Sequence, residues 1–207
     1  MRPTEGSDLV KGKGTLMTDF IEAQPSQAEM RRNAGHQEIL GETLAKFEFF
    51  MNGWHPYTRF LDVDKIDLIL RRRTKSEVQY RELQVKFGKL HPITAQWERL
   101  LFSATSWRFF SERDLRSLTE REGLYFCYVL ASDDGFKGDL FNFQIDDFAR
   151  LVRQAPRVRN GKYAVRISRS VADPSRWYMR RKAKFDKLSN DTVMDVTGYY
   201  RNFKCLG

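Results

Sequence analysis

At 207 residues, with 41% hydrophobic and 14% aromatic side chains, the chain is long enough for one large packed domain and too apolar for general disorder. Its 36 Lys and Arg against 27 Asp and Glu give a net charge of +9, so a polyanion, nucleic acid first, is the expected partner. Two distant cysteines, Cys127 and Cys205, exclude a disulfide scaffold, and with only three scattered histidines (His36, His55, His91) they exclude zinc-finger and iron–sulfur sites as well. No apolar run approaches the roughly 20 residues that span a bilayer, and the N-terminal residues are too polar for a signal peptide. The expectation is a soluble protein of a reducing compartment, the cytoplasm, without membrane association.

In chain order, residues 1–35 are rich in Gly and Pro and poor in large apolar side chains, which predicts a mobile arm. Over residues 37–51, Leu40, Leu44, Phe47 and Met51 form an apolar stripe of helical period, stopped by Asn52-Gly53. Short β-rich runs at 54–62 and 66–71 follow, then a polar turn at Thr74-Lys75-Ser76. A third strand over 78–87 alternates Leu83, Val85 and Phe87 on one face with Glu82, Gln84 and Lys86 on the other. Residues 93–110 read as a helix whose Trp97, Trp107 and Phe109 belong to the core rather than to a base-stacking surface. The continuous apolar run 124–131 predicts a strand buried on both faces; a short strand at 141–145, a helix at 146–153 and a strand at 163–168 complete an α/β domain on a mixed sheet.

Residues 62–86 carry the most chemistry. An acid begins one strand, and across a hairpin Glu82, Gln84 and Lys86 share one face of the next, so oxygen donors and an ammonium converge. Hard divalent cations take oxygen ligands of this kind, and a lysine beside them orients or deprotonates a water near a phosphate. The sequence Asp67 followed by Gln84-Val85-Lys86 resembles the signature of the PD-(D/E)XK nuclease superfamily, in a Q-x-K variant similar to that of type IV restriction enzymes and some intron-encoded endonucleases.

That resemblance implies a restriction-endonuclease-like core of order α-β-β-β-α-β over residues 36–170, a mixed central sheet flanked by helices, with a basic C-terminal α/β extension at 171–207 packed on the same domain. It implies Mg2+ or Mn2+ held by Asp67, the Gln84 side-chain oxygen, the Val85 carbonyl and Glu42. Lys86 would position the attacking water, and Glu82 would restore the negative charge lost at Gln84. Asp64 is a lesser candidate. The implied activity is metal-dependent endonucleolytic hydrolysis of double-stranded DNA, with a homodimer expected where both strands are cut; the competing reading is a non-catalytic nucleic-acid-binding protein that retains the fold, and RNA is a further substrate class.

Basicity is concentrated at the end of the chain. Residues 1–50 hold 6 basic and 8 acidic side chains and 51–150 hold 16 and 15, whereas 151–207 hold 14 and 4, a net +10. Arg176, Arg180, Arg181, Lys182 and Lys184, interleaved with Trp177 and Tyr178, are the candidate phosphate-binding residues.

Overall fold

The computed structural model describes residues 27–58 and 66–207, with side chains from Gly35 onward. Most of the expected N-terminal arm, and Asp64, lie outside the described residues. Helix α1 (Gln27–Met51) is followed by β1 (His55–Thr58), β2 (Leu68–Arg73), β3 (Val78–Lys89), β4 (His91–Pro92), α2 (Gln96–Arg99), β5 (Phe102–Phe110), α3 (Glu112–Thr119), β6 (Leu124–Ala131), β7 (Leu140–Gln144), α4 (Ile145–Val152), β8 (Tyr163–Ser170), β9 (Trp177–Arg180) and β10 (Val193–Asp195). The architecture is α/β. One five-stranded mixed sheet has the order β1-β2-β3-β6-β7, parallel only between β3 and β6, and a second, antiparallel sheet has the order β10-β9-β8-β5-β4.

Strand β6 shows why the layers stack as they do. Its eight residues are all buried, and they divide by alternation. Tyr125, Cys127 and Val129 pack with Leu68, Leu70, Leu83, Val85 and the α1 residues Ala45 and Phe49. Phe126, Tyr128 and Leu130 turn the other way, into a core shared with β5, α3, α4, β8 and β9. Phe126 and Phe148 stack there with centroids 3.9 Å apart.

Two glycines set the spacing between these layers. A Cβ on Gly41 of α1 would come within 2.9 Å of the Phe87 Cβ, so the helix axis lies close against β3. A Cβ on Gly88 would come within 2.4 Å of the Tyr128 hydroxyl and 2.6 Å of Ser106 Oγ, where the two sheets meet. The Ser106 and Tyr128 hydroxyls bond to each other at 3.1 Å inside that seam.

Several sequence expectations need correcting. The α1 stripe is not the buried face: Leu40, Phe47 and Met51 are exposed, while Gly41, Ala45, Glu48 and Phe49 face inward. Small residues win that position because they admit close helix–sheet approach. The helix also begins at Gln27, inside the expected arm. Residues 93–110 are largely strand, with only Gln96–Arg99 helical, because the Ser, Thr and aromatic content of Phe102–Phe110 favours an extended chain. Helix α3, set by the Ser111–Asp114 capping box, was not anticipated, and of the second sheet only β8 was, as the strand at 163–168.

The basic C-terminal segment belongs to the body of the fold. Strands β9 and β10 extend the second sheet, and Phe203, Cys205 and Leu206 return to pack on the α1 side of the first. There Arg201 pairs with the buried Glu48 at 2.9 Å and donates to the Gly138 carbonyl. Cys127 and Cys205 are free thiols. Among the described residues no helix is long and apolar enough to cross a membrane.

Candidate active site

Strands β2 and β3 pair antiparallel from Leu68↔Leu83 to Arg73↔Val78. One step beyond the Leu68↔Leu83 end of this ladder, the Asp67 backbone N–H donates to the Leu83 carbonyl at 3.0 Å. Its carboxylate then closes the gap where the ladder ends: Oδ2 accepts the Val85 N–H at 2.6 Å. The N–H and C=O of one residue in an extended strand point to the same side, so the Val85 carbonyl also faces Asp67 rather than β6.

Alternation puts Gln84 and Lys86 on the side of β3 opposite Leu83 and Val85. Asp67, Gln84 and Lys86 line one cavity of about 310 Å³, with Glu38 of α1, Arg108 and Phe109 of β5, and residues of α3. The Lys86 ammonium lies 3.3 Å from Glu38 Oε1 and 3.9 Å from Asp67 Oδ2. Gln84 is 5% exposed, and its amide has no hydrogen-bond partner among the described residues. The Gln84 side chain lines the cavity, so its amide is accessible to a ligand there. Arg108 donates from Nη1 to the Phe87 carbonyl at 3.0 Å, which holds its guanidinium at the cavity wall.

Glu42 lies one turn after Glu38 on the same side of α1. Burial, followed by the charge of Asp67, pushes its carboxyl above the ordinary value; Glu38 adds to this, and Lys46 and Lys86 act against it. Its field therefore reaches the Asp67–Lys86 pair. Glu82, by contrast, is exposed, pairs in register with Ile69 and does not line the cavity. The expectation that it supplies the missing charge is corrected: it sits two residues too far along β3, about 7 Å from Gln84. Glu38 is the acid that reaches Lys86 instead. The signal for it in the sequence was its i−4 spacing from Glu42.

Among the described residues no group of three or more His, Cys, Asp or Glu side chains is arranged to hold a metal. Mg2+ nevertheless binds through one or two carboxylates with the remaining positions taken by other oxygens and water. Asp67, the unpartnered Gln84 amide and the outward Val85 carbonyl supply that kind of set, with Glu42 behind them, and the residues present fit.

The proposed phosphate-binding residues separate on inspection. Arg180 is 0% exposed, ion-paired to Glu98 at 2.7 Å and hydrogen-bonded to Ser168, so it cannot meet a phosphate backbone from this position. That corrects its expected role. Arg176 is engaged with Asp173 and Asp195, and Arg181 donates to the Gln154 side chain. Lys182 and Lys184 are exposed. Searches against protein-family models, curated proteins and solved structures find no match to this chain.

Proposed function

We propose that the protein is a metal-dependent endonuclease acting on DNA, with a PD-(D/E)XK-like site in its Q-x-K form. The observation that carries this reading is the convergence of Asp67, Gln84 and Lys86 on one cavity, with α1 acids behind them. The element order supports it too: α1, an antiparallel β1-β2-β3 unit, α3 as crossover and a parallel β6.

In this reading Asp67, the Gln84 side-chain oxygen, the Val85 carbonyl and Glu42 hold Mg2+ or Mn2+. When bound, the ion supplies Lewis acidity toward a phosphate oxygen and makes a coordinated water more acidic. Lys86 orients the attacking water and places positive charge beside the scissile phosphate, while Glu38 and Asp67 fix the ammonium between them. Arg108, on the opposite wall, has further N–H groups to direct at the developing charge on the phosphate. Gln84 leaves the site one negative charge short of an acidic variant, and Glu38 and Glu42 offset that deficit from the helix.

The test is nicking of supercoiled plasmid DNA by the full chain in Mg2+ and in Mn2+. Wild type is expected to nick and Lys86→Ala to lose at least 100-fold in rate, on the order of a general acid–base contribution, with unchanged circular dichroism. Equal nicking by the two proteins contradicts the reading. Protein that binds DNA but never nicks it in either metal favours the non-catalytic alternative.

A further inference from the structure

Beyond the rim of the acidic cavity, the second sheet turns two large rings toward solvent. Trp107 and Phe109 are two residues apart in β5 and share its outer face, and they are 49% and 50% exposed. The His91 imidazole backs one face of the indole, with centroids 4.3 Å apart and planes at 20°. Burial, then the charge of Lys89, lowers the His91 pKa, so the backing ring is neutral near pH 7. The indole is thus held against the imidazole while remaining half exposed.

Cations lie beneath this shelf. Arg166 is the direct partner of Trp107 in the β5–β8 ladder. Both line a second cavity, of about 410 Å³, together with Phe109, Glu98 and Arg180. Arg180 is already matched by Glu98. Arg166 is half-buried and makes no ion pair or side-chain hydrogen bond among the described residues; burial and the Arg180 charge both disfavour its charged form. Two guanidiniums against one carboxylate leave one positive charge uncompensated. Aromatic walls over a cationic floor select a ligand that is both aromatic and anionic. Phe109 lines this cavity and the acidic one alike, so the two adjoin along a single strand.

We propose that Trp107, Phe109 and Arg166 bind one unpaired nucleotide of a nucleic-acid strand, its base stacked on the exposed aromatic surface and its phosphate on Arg166. The strand then runs past Phe109 toward Asp67 and Lys86. The inference rests on the nuclease reading for the choice of nucleic acid as the polyanion, and it adds that the site engages unpaired rather than fully stacked nucleotides.

The test is fluorescence anisotropy of labelled oligothymidine and of a duplex of equal length, titrated with the full chain in EDTA so that no cleavage intervenes. Trp107→Ala is expected to weaken oligothymidine binding about ten-fold, the size of one lost base–aromatic stack, with duplex binding changed less than two-fold. Trp107→Phe should recover most of the loss, and Arg166→Gln should reduce the salt slope by about 0.7, one single-strand phosphate contact. Absence of oligothymidine binding, wild-type binding by Trp107→Ala and Phe109→Ala, or equal losses on both probes overturns the proposal. A protein that never nicks plasmid yet binds strand through Trp107 sinks only the nuclease reading. A protein that nicks while its shelf variants bind unchanged sinks only this one.

Discussion

The Glu42 carboxyl feels both Asp67 and Lys86, in a site whose described carboxylates outnumber its cations. Burial and Asp67 raise the Glu42 pKa in the folded chain. A carboxyl that binds its proton more tightly when folded contributes stability that is present below its unfolded value of about 4.3 and is lost as pH rises through the folded value. Glu42→Gln should therefore raise the melting temperature at pH 7 in EDTA, with the difference shrinking toward pH 4. Saturating Mg2+ should stabilise wild type more than the variant, since a cation that binds only the folded chain adds to its stability. Thermal melts at the two pH values check both points; a lower Tm for Glu42→Gln at pH 7 contradicts the charge arrangement described. Gln84 adds a further residue-scale point, because exchange for Glu places a second carboxylate beside Asp67 and moves the site toward the acidic form of the motif.

Element packing around β3 decides whether these side chains meet. Gly88 lies two residues beyond Lys86, against the Tyr128 and Ser106 hydroxyls. Gly88→Ala forces that seam apart, and overpacking of this kind costs about 1–3 kcal/mol, equivalent to a Tm loss of roughly 2–12 °C for a chain of this size. Adding Tyr128→Phe, which removes the nearest atom, should recover part of it; an unchanged Tm in the single variant contradicts the close approach. The same spacing explains what could be read from residues alone. Runs with unambiguous period were legible: 124–131 coincides with β6, and 78–87 falls within β3 and carries Gln84 and Lys86 on one face. Asp67 was legible as an acid before an apolar strand. The α1 face was not, because Gly41 and Ala45 carry almost no hydrophobic signal, while the exposed Leu40, Phe47 and Met51 carry a strong one. Strand β5 was misread because Trp97, Leu100 and Trp107 recur at 3 and 7 residues, a helical spacing, although Trp97 lies in α2 and Trp107 in β5. Glu38 was missed because its role depends on the angle at which α1 crosses β3.

Across the whole molecule, charge counted by segment overstated how much of it faces solvent. Arg180 is a structural cation, and removing one partner of a buried pair costs about 3–5 kcal/mol because the other charge is left behind. Arg180→Ala should therefore lower Tm by on the order of 10 °C and leave the salt dependence of DNA binding to refolded protein nearly unchanged. Lys182→Ala with Lys184→Ala should do the reverse: little change in Tm and a salt slope smaller by up to about 1.8, two duplex phosphate contacts. Melting curves and binding isotherms at several salt concentrations separate the two roles. If the lysine pair leaves the slope unchanged, the duplex lies elsewhere, with Arg71, Arg72 and Arg73 at the far end of β2 the next residues to replace.

Whether Asp67 and Gln84 share one hard cation beside Lys86 is tested, without the correct DNA substrate, by anomalous scattering from crystals soaked in Mn2+. A single strong peak is expected within about 2.2 Å of an Asp67 carboxylate oxygen and the Gln84 side-chain oxygen, lost in Asp67→Ala. A cavity without a peak at saturating Mn2+, or a peak whose ligands exclude Asp67, contradicts this shared coordination.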